Sequence, residues 1–405
     1  MGTSLTLFRA FGIDVRVHWS FILALAYGAF MYSGGASSPL AGALYGVLVI
    51  LLLFACVTLH EFGHALVAQY YKIKVPSITL LPIGGVASLE RMPDKPLQEF
   101  LIAIAGPLVN VALAALLLPL AVLAVGLAAQ DGNVGFSLRA LVGATGEAIG
   151  SLAVLMRRMQ TPGVANLLLY LVFTNVTLAI FNLLPAFPMD GGRILRALLA
   201  MNFSYVQATR VAVLVGRVIA IGLALWGVTG GGITLLLVAF FVYVGGGAER
   251  EAVESRAVLR HILASQALTA NAVSLYTSER LQRAVDLIMT SYQSDYPVLD
   301  LGGRFVGVLT RMRLIPALQQ LGPEARIVEV MIPAEQVPVC TPQTDLATAW
   351  EQMAERGSRV IAVHEGATFR GLITLDDISE LFQVFGATLQ HAGQQASKPS
   401  ATAQL

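Results

Sequence analysis

Long apolar segments dominate the first 248 residues and restrict this chain to a fold inside a lipid bilayer. Six such segments are present, at residues 17–32, 42–71, 98–129, 164–186, 206–228 and 231–247. A helix needs about 20 apolar residues to cross the hydrocarbon core of a bilayer. Only 13% of the residues are charged, whereas a soluble protein has about 25%. We therefore predict an integral membrane protein with about six transmembrane helices, of which the first and the last are short for a full crossing.

Composition also excludes several classes of protein. The formal net charge is +1 and no block of Lys and Arg is present, so we expect no nucleic-acid partner. The only cysteines, Cys56 and Cys340, lie far apart in different kinds of sequence. This arrangement excludes a disulfide framework and a thiolate zinc site. We interpret Cys56 as a small apolar core residue.

The distribution of Lys and Arg predicts the orientation of the chain in the membrane. Both ends of the apolar region and its second and fourth connections are positive, through Arg9, Arg16, Lys72, Lys74, Arg91, Lys95, Arg193, Arg196, Arg250 and Arg256. Connections 33–41 and 229–230 contain no Lys or Arg. Because positive connections stay in the cytoplasm, we predict a cell-membrane protein with both termini cytoplasmic. Arg139, Arg157 and Arg158 in the third connection argue mildly against this, and we interpret that segment as an amphipathic helix along the interface.

Beyond the apolar segments the sequence changes to a soluble pattern that occurs twice. Residues 281–310 read as a helix followed by two short apolar strands, and residues 346–374 repeat this pattern 64 to 65 residues later. We therefore predict a multi-pass α-helical membrane domain at 1–248 and a soluble α/β tandem module at 249–388. The remaining tail, 389–405, is rich in Gln, Ser, Ala and Thr and is predicted to be disordered.

The run His60-Glu61-Phe-Gly-His64 lies inside the second apolar segment. With about 3.6 residues per turn, His60 and His64 project from one face of a helix and can hold one metal ion, with Glu61 beside it. Zn²⁺ in such a site acidifies water, and the carboxylate takes the proton and later passes it to the leaving amine. Ionisable groups are costly in lipid and persist mainly where they pair or react. The run therefore favours a metallopeptidase centre over a polar patch that only packs helices.

A catalytic zinc site needs a third protein ligand, and Asp190 is the strong candidate. It lies in segment 182–192, where two prolines and two glycines break the fourth apolar segment. This break is expected at the depth of His64, about 10 Å from the cytoplasmic end of the second helix. The alternative is that Asp190 only caps the next helix.

The sequence leaves alternatives for the roles of two asparagines and of the connection between the second and third apolar segments. Asn182 could donate a hydrogen bond to the developing oxyanion or orient the substrate backbone. Asn110 could do the same or could hydrogen-bond another helix, and we favour Asn182 for the chemistry. Residues 73–89 read as short β-strands at the cytoplasmic interface. Their exposed edge could receive an unwound substrate by strand addition, or the hairpin could be purely structural.

These motifs resemble the site-2 protease family of intramembrane metallopeptidases. The resemblance rests, in the family's order, on His60-Glu-Phe-Gly-His64, Pro82-Ile-Gly-Gly85, Ala105-Gly-Pro-Leu-Val-Asn110 and the segment 182–192. With its tandem C-terminal module, the chain looks like the subgroup that carries cytosolic CBS domains. The resemblance implies zinc ligands at His60, His64 and Asp190, and a general base and acid at Glu61.

The resemblance also implies an adenosine-nucleotide site in the tandem module. The pattern Gly-x-x-Thr-x-x-Asp is complete in the second copy through Thr374 and Asp377, whose carboxylate would accept hydrogen bonds from ribose hydroxyls. In the first copy Thr310 is followed by Arg313 at the carboxylate position, and an arginine cannot accept. We expect one set of ribose contacts to ATP or AMP, with Arg311 or Arg313 meeting phosphate. The alternative is a pair that serves only homodimerisation.

These observations predict a zinc-dependent intramembrane endopeptidase. A peptide bond within a transmembrane helix is already hydrogen-bonded, so it must be unwound before hydrolysis. The expected substrate is a single-span membrane protein with helix-weakening residues near its cytoplasmic end. The main alternative is a nucleotide-gated transporter or channel, which would need polar residues along several spans. A membrane peptidase that acts on soluble or lipidated tails would usually take its third ligand from a downstream Glu or His.

Overall fold

The computed structural model describes residues 4–34, 38–82, 84–88, 93, 95–130, 161–268, 272–290 and 293–381. The chain forms two compact units, Met1–Arg250 and Glu251–Leu405. The predicted disordered tail, 389–405, lies outside the described residues. So does the segment with Arg139, Arg157 and Arg158 that the sequence predicts to follow the interface.

Seven helices of the first unit are described. They are α1 (Phe21–Tyr32), α2 (Pro39–Tyr70), α3 (Pro96–Gln130), α4 (Val164–Asn182), α5 (Asp190–Ala200), α6 (Tyr205–Trp226) and α7 (Ile233–Leu259). Five of them, α2, α3, α4, α6 and α7, are long and apolar enough to cross a membrane. A π-helical turn at Gly227–Gly231 joins α6 to α7. The predicted first segment was too long, because α1 has 12 residues and spans only about 18 Å.

Local chemistry explains where these helices begin. The Ser38 hydroxyl accepts a hydrogen bond from the amide of Ala41, and Pro39 occupies the first turn of α2. Ser204 and Gln207 form a reciprocal capping box at the start of α6. These caps fix the residues at which α2 and α6 begin.

A four-stranded sheet packs against the C-terminal half of α2. Its strands follow in the order β1 (Ser4–Ala10), β2 (Ile13–His18), β3 (Ser77–Leu81) and β4 (Gly84–Ser88). The predicted hairpin at 73–89 is β3 and β4, whereas β1 and β2 were not predicted from the sequence. Buried Ile13 and Ile78 join one apolar cluster with Phe62 of α2. Because β2 pairs with β3, the N-terminal hairpin and the connection between α2 and α3 lie on the same side of the membrane domain.

The second unit contains the predicted repeat. Its helices are α8 (Ala264–Ala267), α9 (Leu281–Thr290), α10 (Arg311–Leu321) and α11 (Leu346–Glu355). Its strands are β5 (Leu275–Tyr276), β6 (Asp295–Leu299), β7 (Phe305–Thr310), β8 (Ile332–Pro333), β9 (Val339–Cys340), β10 (Val360–Glu365) and β11 (Thr368–Thr374). The strand orders are β5-β6-β7-β8 and β11-β10-β9. Leu281 and Leu346, at equivalent positions, each lie at 0% exposure in the core of one copy.

Candidate metal centre

Helix α2 brings two imidazoles together inside the membrane domain. His60 and His64 are four residues apart and lie on one face, as the spacing predicts. Their Nε2 atoms are 3.1 Å apart, and both side chains are buried. Glu61 follows His60 on the same helix and is partly buried.

The third group comes from the break between α4 and α5. The chain leaves α4 at Asn182, turns, and re-enters a helix at Asp190. The Asp190 Oδ2 atom lies 3.3 Å from Nε2 of His60 and 3.2 Å from Nε2 of His64. The carboxylate therefore faces the two imidazoles, and the reading of Asp190 as only a helix cap does not account for this contact.

The size of this cluster fits a zinc ion. The three ligand atoms form a nearly equilateral triangle with edges of 3.1 to 3.3 Å. Bonds of about 2.0–2.1 Å in a tetrahedral zinc site place two ligand atoms about 3.3 Å apart. In addition, Asp190 Oδ2 is buried and makes no hydrogen bond to another described residue. A buried anionic oxygen without a donor needs a cation, so the three side chains could hold a metal ion.

Hydrogen bonds to the Nδ1 atoms of His60 and His64 orient both rings so that their Nε2 atoms face Asp190. His64 Nδ1 lies 2.7 Å from the carbonyl oxygen of Ile102, which can only accept, so Nδ1 carries the proton. His60 Nδ1 lies 2.5 Å from Oδ1 of Asn110. With both Nδ1 atoms protonated, both Nε2 atoms are free to bind a metal.

A chain of two buried amides fixes the Asn110 side chain. Asn175 donates from Nδ2 to the carbonyl oxygen of Leu171, at 2.8 Å, and accepts through Oδ1 from Nδ2 of Asn110, at 2.9 Å. Asn175 Nδ2 also lies 3.3 Å from Sγ of Cys56, which is buried. Asn110 and Asn175 are both 0% exposed. Asn175 was not predicted from the sequence to be a functional residue, although an amide within an apolar span is a signal that could have identified it.

Two glycines allow other elements to approach these side chains closely. A Cβ atom at Gly106 of α3 would lie 2.2 Å from His64 Nε2 and 2.8 Å from His60 Cε1. A Cβ atom at Gly85 of β4 would lie 2.6 Å from Cγ of Glu61. Contacts this short do not occur, so both positions require glycine. The edge strand β4 therefore runs directly past Glu61.

Asn182 is not part of this cluster of hydrogen bonds. It is the last residue of α4, is partly buried, and makes no side-chain hydrogen bond to another described residue. Its contact with the oxyanion or the substrate backbone stays a prediction. Asn110, by contrast, lies behind His60 and links two helices.

The residues proposed for nucleotide binding lie in the second unit. Asp377 Oδ2 accepts hydrogen bonds from the amide and the hydroxyl of Thr374, at 2.7 and 2.8 Å. Thr310 is 7% exposed and precedes α10. Arg313 donates weakly to the carbonyl oxygen of Val330, at 3.4 Å. The Arg313 side chain therefore points towards the backbone at Val330, and a phosphate contact would require a different side-chain conformation.

Three side chains that could hold a metal ion lie among apolar helices with a carboxylate beside them, which is the arrangement expected of a metal-dependent peptidase of membranes. The chain belongs to peptidase family M50, the site-2 protease family, whose model matches residues 48–223. The CBS domain model matches twice, at residues 264–320 and 327–383. The resemblance inferred from the motifs is thus confirmed. The protein is a metalloendopeptidase with a tandem CBS module, and the transporter alternative is set aside.

Similar proteins occur in archaea and bacteria. The zinc metalloprotease MJ0392 of Methanocaldococcus jannaschii is 31% identical over 379 residues, 93% of this chain and 96% of that protein. The protein Rip3 of Mycobacterium tuberculosis is 27% identical over 409 residues, 95% of this chain and 94% of Rip3. The solved structure of a site-2 protease from Methanocaldococcus jannaschii is 33% identical, covers 61% of this chain and 95% of its own, and has a TM-score of 0.41.

Proposed function

We propose that this protein hydrolyses peptide bonds within or near transmembrane helices, with His60, His64 and Asp190 as ligands of one Zn²⁺. The observation that carries the proposal is the triangle of ligand atoms with edges of 3.1 to 3.3 Å. It lies among helices long enough to cross a membrane. A soluble substrate would not need a site at this place in the fold.

Glu61 is the proposed general base and acid. Zn²⁺ in such a site supplies a Lewis acid that polarises the scissile carbonyl and acidifies water. Glu61 stands next to His60 on α2, where its carboxylate can take a proton from water and return it to the leaving amine. Asn182, at the break before Asp190, is proposed to orient the unwound substrate backbone.

The strand β4 is the proposed receptor for that backbone. It is the last strand of the sheet as far as the structure describes it, and its Gly85 packs against Glu61. An extended substrate added to this edge would place its peptide bonds beside the proposed base. The substrate class follows, namely a single-span membrane protein whose helix is easily unwound near its cytoplasmic end. The alternative is a purely structural hairpin, which would make no hydrogen bonds to the substrate backbone.

The decisive experiment separates metal binding from hydrolysis. Purified protein in detergent is given one zinc per chain and a model single-span substrate, in versions with a Gly-Pro pair or with leucines near the cytoplasmic end. Glu61→Gln should keep zinc and lose cleavage by several orders of magnitude, because the amide cannot accept the proton. His60→Ala, His64→Ala and Asp190→Ala should bind zinc much more weakly. Near-normal turnover by Glu61→Gln would refute the mechanism.

We also propose that the CBS pair binds an adenosine nucleotide, ATP or AMP, through its second copy. Support comes from the fixed carboxylate of Asp377 beside Thr374. Bound nucleotide could change cleavage only by binding two arrangements of the membrane domain with unequal affinity. A pair that serves only homodimerisation would show no such binding.

A further inference from the structure

Arg196 of α5 is a buried cation that the proposed reaction does not use. It is 1% exposed and is among the largest fully buried side chains of the described residues. A charged side chain inside a membrane domain is costly unless its partners satisfy it, and such residues commonly mark function.

The partners of Arg196 come from two helices. Its Nε atom donates to Oε1 of Glu99 in α3 at 2.8 Å, and its Nη2 atom donates to the same oxygen. Its Nη1 atom donates to Oε1 of Glu249 in α7. The guanidinium also lies over the rings of Phe187 and Tyr205, with its central carbon 4.9 and 4.8 Å from the ring centroids. The guanidinium therefore contacts two carboxylates and two aromatic rings.

These contacts surround the proposed metal ligand Asp190. Phe187 precedes Asp190 by three residues, and Arg196 follows it by six, about 9 Å along α5. Arg196 therefore lies on the helix that begins at Asp190 and contacts Phe187 in the turn before it. A movement of this turn relative to α5 would break the contact between Phe187 and Arg196.

The ion pair with Glu99 also connects Asp190 to the histidines. Glu99 precedes Ile102 by about one turn of α3, and the carbonyl oxygen of Ile102 accepts from His64. The same turn of α3 therefore contacts both His64 and the helix that carries Asp190. This shared contact links ligands from two distant segments, whose ligand atoms lie 3.1 to 3.3 Å apart.

We propose that Arg196 is a positioning residue that fixes the position of Asp190 in the metal centre. Its ion pair with Glu249 makes this position sensitive to movement of α7. The proposal rests on the metal centre of the proposed function and deepens it. Helix α7 continues beyond Arg250 into the second unit, where Leu259 joins the core of one CBS copy. Movement of α7 would therefore change the contact between Glu249 and Arg196.

The test compares Arg196→Lys with Arg193→Lys in the full-length protein. Lysine keeps the charge but lacks the planar fork that holds two carboxylates. Arg193 is on the same helix and forms no ion pair with a described residue, so it is the matched control. We expect Arg196→Lys to weaken zinc binding about 10-fold or more and to alter the visible spectrum of the Co²⁺-substituted protein. Glu249→Gln should cause a smaller change of the same kind, because the Glu249 side chain is itself partly exposed.

The result that would overturn the proposal is a lower melting temperature with unchanged zinc affinity and an unchanged Co²⁺ spectrum, because this would show a purely structural role. If Arg196→Lys does not fold, two further variants are measured by the same readouts. One is Glu249→Gln, and the other is the double variant Arg196→Met with Glu99→Gln, in which neither member of the buried pair is charged. Zinc affinity does not depend on cleavage. A wild-type protein that binds zinc without cleaving the substrate would therefore refute the proposed function while leaving this proposal standing.

Discussion

The Nδ1 atom of His60 donates to Oδ1 of Asn110 across 2.5 Å. Asn175 determines which atom donates in this hydrogen bond, because its side-chain amide must donate to the carbonyl oxygen of Leu171. Asn175 then presents its oxygen to Asn110, and Asn110 presents its oxygen to His60. An amide on α4 and an amide on α3 therefore decide which nitrogen of a histidine on α2 faces Asp190.

Replacing Asn110 by leucine should weaken zinc binding. His60 would lose the acceptor that holds its tautomer and its ring orientation, and loss of such a partner typically lowers metal affinity about 10–100-fold. Competition with a chelator of known affinity measures the change. Asn202→Leu, at an exposed position, is the control. Equal affinity of Asn110→Leu and wild type would show that the amide chain does not act on the metal.

Adding one methyl group at Gly106 should disable the centre. The new Cβ atom would lie 2.2 Å from His64 Nε2, so either α3 or the imidazole must move. Gly126→Ala on the same helix is the matched control, since nothing lies within 4 Å of its Cβ position. Zinc content and cleavage should fall in Gly106→Ala and stay normal in Gly126→Ala. A Gly106→Ala protein with full zinc content would contradict this packing.

Cysteine labelling in intact cells tests the predicted orientation. Single cysteines at Lys95 and Ala252 should react with an impermeant thiol reagent only after permeabilisation, because positive connections stay inside. A cysteine at exposed Thr229, in the connection without Lys or Arg, should react directly. The native Cys56 and Cys340 are buried and should give little background. The reverse pattern would invert the topology.

Nucleotide binding should depend on Asp377 and not on its neighbour. Calorimetric titration of the full-length protein with ATP and AMP should detect binding that Asp377→Ala abolishes. Asp376→Ala is the matched control, because its side chain is 71% exposed. Asp377→Ala also removes the hydrogen bonds to Thr374, so its folding must be checked by the melting temperature. Binding weaker than millimolar in the wild type would leave the pair as a scaffold.

A carboxyl group in the second unit should make stability depend on pH. Burial raises the pKa of Asp295, and the negative charges of Asp376 and Asp377 add to this, although a hydrogen bond from the amide of Arg311 opposes it. Since the folded chain binds this proton more tightly than the unfolded chain, the stabilisation is present at low pH. It is lost as pH rises through the raised pKa. Asp295→Asn should therefore raise the melting temperature at pH about 7 and have little effect near pH about 4.

Asp300 provides a control of opposite sign. Its carboxylate accepts from the amides of Arg304 and Gly302, both at 2.8 Å, and the first of these bonds is the main reason that its pKa is lowered. The stabilisation is then present at neutral pH and is lost as pH falls through the lowered pKa. Asp300→Asn should lower the melting temperature at neutral pH. The same sign for both variants would contradict the assignment.

Most of the fold could be predicted from the sequence, because helices that cross lipid need long apolar runs. The repeat in the second unit could also be predicted, since each copy carries the same helix and strand pattern. The strands β1 and β2 could not, because residues 4–18 mix charged and apolar positions. β1 pairs with β2, and β2 pairs with β3, where Asp14 lies opposite Ser77, 63 residues later in the chain.

Part of the candidate site could also be predicted from local sequence patterns. The spacing of His60 and His64 within one helix predicts a shared metal site, and the break in an apolar span indicates Asp190. Asn175 could have been noticed as an amide within an apolar span, but the roles of Asn175 and Arg196 could not be assigned, because they arise from contacts with residues 65 and 97 positions away. Spacing rules describe one element at a time and contain no information on which faces of two helices meet.

Helix α3 supplies none of the three proposed ligands, yet it touches the environment of each of them. Glu99 pairs with the helix of Asp190, Ile102 and Asn110 accept from the two histidines, and Gly106 leaves them room. The intervals of three, four and four residues put all four positions on one face of the helix. A genetic screen for loss of proteolysis should therefore recover a periodic stripe of substitutions along a helix that binds no metal. A compound that rotates this helix would inhibit the enzyme without entering its active site.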